Sequence, residues 1–231
     1  SHANATVTGS GSGDSVGGLV GRSRASITRS YATGAVTGGS EVGGLVGSAV
    51  DGSITDSYAT GAVAGSSRVG GLLGSTQFPS NITINNTYAT GAATSSGDTA
   101  GGLVGTFGDG TISNSFWDTQ TTGRSSSQGI GQIIGSPTQT NVSGKTTAEM
   151  QTIATFNSGG AAWDIQEDSG YNGSYLYPRL AMSGSSPVWL IKSASAPGGV
   201  AVNYTFATLG SAYGYKGSDY SLADYWSASS I

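Results

Sequence analysis

Cysteine is absent from the 231 residues, histidine occurs once, proline five times, and charged side chains make up only 10% of the chain. Without cysteine there are no disulfide staples, no thiolate chemistry and no sulfur-ligated zinc, so stability has to come from packing and backbone hydrogen bonds. The single histidine, His2, lies at the extreme N-terminus, which leaves no Ser/His/Asp or Cys/His arrangement to assemble. The nine lysines and arginines are scattered singly against a net charge of −4. No basic stripe follows a phosphate backbone, and neither nucleic acid nor an anionic membrane surface is an expected partner. No apolar run is long enough to span a membrane and no signal peptide is visible. Strong helix formers are scarce, which argues against a helical domain.

What the chain has in abundance is glycine, 40 residues, among Ser, Thr, Ala and Asn. Such a bias suits disorder, but 36% hydrophobic residues and 11 tyrosines argue for a packed chain. Self-similarity explains both facts. Gly17-Gly18-Leu19-Val20-Gly21 recurs as Gly43-Gly44-Leu45-Val46-Gly47, Gly70-Gly71-Leu72-Leu73-Gly74 and Gly101-Gly102-Leu103-Val104-Gly105. A degenerate fifth copy is Gly131-Gln132-Ile133-Ile134-Gly135. Leu45 lies 26 residues after Leu19, Leu72 a further 27, Leu103 a further 31 and Ile133 a further 30. Val16, Val42, Val69, Ala100 and Ile130 precede the five copies as small apolar spacers. Between the copies sits a second block, Ile27 to Tyr31, Ile54 to Tyr58, Ile84 to Tyr88 and Ile112 to Phe116. Three of these run on into Ala-Thr-Gly-Ala. Ala5-Thr6-Val7-Thr8-Gly9 matches the end of that block, so the chain enters part-way through a repeat; with Ser1 in place of Met, this suggests a piece of a longer protein.

A period of 26 to 31 residues holding short β-type runs and glycine turns suits one coil of a parallel β-helix. The expected fold is all-β, a right-handed parallel β-solenoid of about five coils over residues 1–138. A capping region, 139–195, follows with one short helix, starting at the Thr146/Glu149 capping box and ending near Ala154, and a β-rich Tyr/Gly segment fills 196–231. Stacked coils turn each repeat position into a column. Leu19, Leu45, Leu72, Leu103 and Ile133 are expected to form one interior column, and Ile27, Ile54, Ile84 and Ile112 another. The glycines beside the leucines are expected to allow corners with positive φ and close backbone approach. Two residues before each aromatic stand Arg29, Asp56, Asn86 and Asn114, hard to reconcile with an interior face. Either the strand bends between Ile and Tyr, or the tyrosines point to solvent. In both cases Arg29 is expected beside Asp56, and Asn86 beside Asn114.

The run Val-Gly-Gly-Leu-Val-Gly with an upstream Ser-Tyr-Ala-Thr-Gly resembles the GLUG motif, over roughly residues 5–135. That motif is found in large exported bacterial proteins, among them filamentous-haemagglutinin-like adhesins of the two-partner secretion type. Phe116-Trp117-Asp118-Thr119-Gln120-Thr121-Thr122-Gly123, Thr147-Ala148-Glu149-Met150 and the stretch from Trp163 to Tyr177-Pro178 are similar to the tail that follows such repeats. Residues 196–231 resemble the start of the Tyr- and Gly-rich repeats that continue some of these adhesins. The resemblance implies export, a place at the bacterial cell surface and an adhesive or stalk role. It implies no catalytic residues, since GLUG repeats inside surface proteases are spacers.

Candidate sites are few. Tyr31, Tyr58, Tyr88 and Phe116, with Thr33, Thr60 and Thr90 two residues beyond the tyrosines, would form an aromatic and hydroxyl strip if they face outward. Such a strip could stack sugar rings or order water; a structural aromatic stack is the competing reading. Trp163, Tyr171, Tyr175, Tyr177 and Trp189 read as core or cap. Asp14, Asp51, Asp98 and Asp109 sit in predicted turns, and Glu41, Asp56 and Asp118 at three different repeat positions, so no paired acid and base emerges. No catalytic residue, cofactor or metal is expected. Asp164, Glu167 and Asp168 are the best carboxylate group for calcium, with a solvated loop as the plainer reading. Gly129 to Gly135 lacks dinucleotide-loop spacing. The Asn-x-Ser/Thr sequons at Asn4, Asn81, Asn85, Asn141, Asn172 and Asn203 are at the level chance supplies. The expected partner is a host or neighbouring-cell surface protein or glycan, met by a monomer; a carbohydrate-active or ice-binding β-helix is the alternative.

Overall fold

The computed structural model describes residues 1–77, 81–97 and 100–156, and beyond them the backbone of five further strands. It is a parallel β-solenoid of about five turns with two short helices. Each full coil contributes to four parallel sheets, which we call faces A to D in chain order. Face A carries the Ile-to-Tyr block, as in Ser53–Ala59, Asn81–Ala89 and Asp109–Asp118. Face B is Val7–Thr8, Val36–Thr37, Val63–Gly65 and Ala93–Ser95. Face C is Val16–Gly17, Val42–Gly43 and Val69–Gly70, and face D runs from Val20–Ser23 to Ile130–Ile133. Equivalent residues pair in register across coils, Ile54 with Ile27 and Ile84, Tyr58 with Tyr31 and Tyr88, Val42 with Val16 and Val69. The stack continues through Thr138–Lys145, which pairs with Asp109–Asp118 on face A.

The interior holds two apolar columns side by side. Between faces A and D lie the isoleucines of the second block with Leu45, Leu72, Leu103 and Val46, Leu73, Val104. Between faces B and C lie Val36, Val63 and Ala93 against Val16, Val42, Val69 and Ala100. The Gly-Gly pair separates the two. At Gly44 an added Cβ would stand 2.1 Å from the Gly71 carbonyl oxygen and 2.8 Å from the Ala59 Cβ, so only a hydrogen fits. Close approach is therefore what these glycines supply. Among the described residues the left-handed glycines are Gly52, Gly110 and Gly123, none of them in a Gly-Gly-Leu corner, contrary to the expected positive φ there.

The fifth coil corrects the sequence reading. Val104 pairs with Ile130 and Phe107 with Ile133, so Gly129, not Ile133, takes the position of Leu103. Ile133 is 48% exposed, outside the leucine column, and Ile130 packs against the cluster of faces A and D instead of joining the spacer valines. The cause is Trp117. It occupies the register position of Ala89, and its indole lies where a side chain at Gly129 would go, 2.4 Å from the ideal Cβ. A large residue on face A and a glycine in the leucine place exchange volume, and the core stays filled. The indole N–H donates to the Ser125 carbonyl at 3.1 Å, so its one polar atom is satisfied.

The cap contains two one-turn helices where one was expected, α1 at Thr147–Met150 and α2 at Ile153–Phe156. The capping box forms as the sequence implies. The Thr146 backbone N–H and hydroxyl both donate to Glu149 Oε2, at 2.7 and 2.8 Å, and the Glu149 N–H donates back to Thr146 Oγ1 at 3.3 Å. Two compact units divide the chain, Ser1–Met150 with Ala154–Trp163, and Gln151–Ile153 with Asp164–Ile231. In the second, Ile165–Ser169 pairs antiparallel with Tyr175–Leu180, and Asn203–Phe206 lies between Ile191–Ser195 and Asp219–Ser221.

Candidate functional site

Arg29, Asp56, Asn86, Asn114 and Asn141 all have φ between 44° and 54°, so the strand on face A bends at this position in every coil. Of the two alternatives left open by the sequence, the bend is therefore real. It is a one-residue left-handed step, which Asn and Asp tolerate better than most side chains. The ladder bonds it interrupts are made good by the hydroxyl one residue on. Ser57 Oγ donates to the Thr55 carbonyl at 2.7 Å and accepts from the Ser30 N–H at 3.1 Å; Ser115 repeats both contacts with Ser113 and Thr87. The Ser/Thr before each aromatic is thus an inward polar column, Ser30, Ser57, Thr87 and Ser115, buried and satisfied.

After the bend the aromatic points away from the coil while the alanine behind it points in. The rings stack in register, Tyr31 on Tyr58 at 5.0 Å between centroids and Tyr58 on Tyr88 at 4.7 Å, within 4° of parallel. His2 extends the stack, 5.1 Å from Tyr31. Outward does not mean exposed here. Tyr58, Tyr88 and Phe116 are buried, and Phe156 of α2 packs edge-on against both Tyr88 and Phe116, at 5.4 and 5.7 Å. Tyr31 is half-buried; Thr33 is exposed, Thr60 half-buried and Thr90 buried. Stacking turns the ring faces towards one another along the column. A sugar ring seeking such a face would have to enter between coils; Tyr31 itself lies between His2 and Tyr58 and offers only its edge.

The register places Arg29 beside Asp56 and Asn86 beside Asn114, as expected, and the side-chain bonds run along and across this ladder. Asn86 Nδ2 donates to Asp56 Oδ1 at 2.9 Å and Asn141 Nδ2 to Asn114 Oδ1 at 2.9 Å, but Asn114 donates to Asn85 Oδ1 at 3.2 Å and not to Asn86. A second network crosses three coils at the corner before face C. Glu41 accepts from the Ser15 hydroxyl at 2.6 Å, from Arg68 Nη1 at 3.1 Å and from Gln77 Nε2 at 2.9 Å. Sequence reasoning missed it, although Ser15, Glu41 and Arg68 hold the same repeat position, one residue before the spacer valine.

The remaining acids are dispersed. Asp14 accepts from the Gly11 N–H, Asp109 from the Ser136 N–H, and buried Asp118 caps the turn at the Gln120 and Thr121 N–H groups. Asp51 is exposed. Among the described residues no three His, Cys, Asp or Glu side chains come together as a metal site. Asp98, and the side chains of Asp164, Glu167, Asp168, Trp163, Tyr171, Tyr175, Tyr177 and Trp189, lie outside the described residues. Glu149 is held below its ordinary carboxyl range by the Thr146 backbone N–H and then the Thr146 hydroxyl, with Lys145 adding to the effect and slight desolvation opposing it.

The geometry therefore repeats a coil whose start lies in the turn before face C and whose end lies on face B. The family model of the GLUG motif matches two such units, residues 12–37 and 38–64. The chain contains a GLUG-repeat region. Each matched GLUG unit spans faces C, D, A and B once, so the motif is one turn of the solenoid. The later coils, on Leu72 and Leu103, keep the same register as the two matched GLUG coils. No curated protein and no solved structure matches the chain. Among the described residues no helix is long and apolar enough to cross a membrane.

Proposed function

We propose that this chain is a stretch of the stalk of an exported bacterial surface adhesin, of the filamentous-haemagglutinin-like type, and that it does not turn over a substrate. One observation carries the reading. The interior columns are filled coil after coil, and the outward tyrosines are themselves packed in a stack, so the repeat spends its apolar residues on making a stiff element. GLUG repeats, a parallel solenoid and scattered acids suit a spacer that holds other parts of a protein at a distance from a surface. Contact with a host cell, a neighbouring cell or a glycan would then lie chiefly with regions beyond these coils.

A second reading, a glycan-binding surface, is favoured by a single feature, the half-buried Tyr31 beside exposed Thr33. A glycan-array screen of the purified chain, with Tyr31→Ala alongside, separates the two. The stalk reading expects no specific glycan bound by the folded wild type. Binding by the wild type that Tyr31→Ala abolishes would overturn it and assign recognition to this end of the tyrosine column.

A further inference from the structure

Face B differs from the rest of the surface. Its inward residues are Val7, Val36, Val63 and Ala93, paired in register. The residues on either side of each point outward: Thr6 and Thr8, Ala35 and Thr37, Ala62 and Ala64, Ala92 and Thr94. All eight are exposed except Ala64, which is half-buried. The order is held by backbone bonds between coils, Val7 N–H to the Ala35 carbonyl at 2.9 Å, Val36 to Ala62 at 2.8 Å and Val63 to Ala92 at 2.7 Å. The segments that form the face, residues 3–13, 32–40, 59–67 and 89–97, contain no charged side chain.

Two columns of small groups thus lie on a rigid parallel sheet. They repeat about every 4.8 Å from coil to coil and about 6.6 Å along each strand. Thr94 Oγ1 has a backbone partner, the Val63 carbonyl at 3.3 Å. Among the described residues the hydroxyls of Thr6, Thr8 and Thr37 have none, so they meet water. A protein partner would find nothing to grip, because strong interfaces are built on aromatic, Met and Arg anchors, and Ala is depleted in them. Flat polysaccharide would want an exposed aromatic ring, and face B has none. What a regular field of methyls and hydroxyls without charge does fit is water itself in an ordered lattice. Methyls hold water in cages, hydroxyls fix those cages to the sheet, and the coil-to-coil repeat is close to the shorter oxygen spacing on faces of hexagonal ice.

We infer that face B is an ice-binding surface, with Thr8, Thr37 and Thr94 as hydroxyl anchors and Ala35, Ala62 and Ala92 as the flat methyl row. This goes beyond the stalk reading and does not depend on it. The test is inhibition of ice recrystallisation by the full chain, compared with Thr37→Lys and Ala62→Lys on face B and with Thr28→Lys on face A. All these positions are outside the core, and circular dichroism with a thermal melt reports that each variant is folded. The expected result is inhibition by the wild type and by Thr28→Lys, lost in both face B variants. A folded wild type that does not inhibit overturns the inference, as does equal loss in the face A variant.

Discussion

At the scale of single residues, the clearest contrast is between two glycines. Gly44 has the next coil's carbonyl 2.1 Å from where its Cβ would stand, whereas Gly13 has nothing within 4 Å. Gly44→Ala is expected to lower the unfolding free energy by about 1–3 kcal/mol, as overpacking does, and Gly13→Ala to leave it nearly unchanged. Urea denaturation of the two variants checks this. The left-handed bend gives a second contrast. Asn114 has φ of 44°, so Asn114→Val is expected to cost about 1–2 kcal/mol while Asn114→Gly is tolerated. What the sequence showed at this scale was a polar residue where an inward one was due. It could not show that a one-residue bend resolves the conflict, because Arg, Asp and Asn at one position do not announce a positive φ by identity. The Ser/Thr column that repairs the bend was visible, but it read as composition in a chain so rich in hydroxyls.

At the scale of elements, the tyrosine stack depends on its cover. Phe156 is fully buried against Tyr88 and Phe116, and Phe156→Ala is expected to destabilise the chain by about 3–5 kcal/mol and to raise the solvent access of the tyrosines. Denaturation with tyrosine fluorescence and acrylamide quenching reads both effects. The cap on α1 has a pH signature. Glu149 has a folded pKa lowered below its ordinary value, so its contribution is present above the unfolded pKa and is lost as pH falls through the lower, folded one. Titration of the Glu149 carboxyl by NMR should show this, with the midpoint returning towards the ordinary range in Thr146→Ala. The capping box and the start of α1 were legible because Thr and Glu three apart carry the mechanism in the sequence. The phase of the fifth coil was not. Gly131 to Gly135 looks like the repeat, yet the chain is paired four residues earlier because Trp117 takes the volume of a leucine. Exchange of volume between positions 117 and 129 has no local signature.

At the scale of the whole repeat region, the backbone bonds of each coil run to its neighbours, so removing one in phase should leave the others intact. Deletion of residues 38–64 joins Thr37 to Gly65, which stand one step apart in the register, and brings Ser15 beside Arg68. A folded, less stable protein with the same parallel-β circular dichroism is expected, its melting midpoint lowered by the loss of one coil and of the Glu41 network. The solenoid itself was legible because period, column identity and glycine placement agreed; its division into an Ile/Leu-rich column and a Val/Ala column was not, since the Gly-Gly pair that parts them read as a corner. The proposed role rests on this stack being continuous and in register from the first coil to the last. The measurement that reaches it most directly is a spin-label distance, made clean by the absence of cysteine. Labels at Thr28→Cys and Thr140→Cys, outward positions four coils apart on face A, should give a narrow distribution centred near 19 Å, four steps of about 4.8 Å. A broad distribution, or one centred well away from that distance, would contradict the stacked solenoid and the stalk built on it.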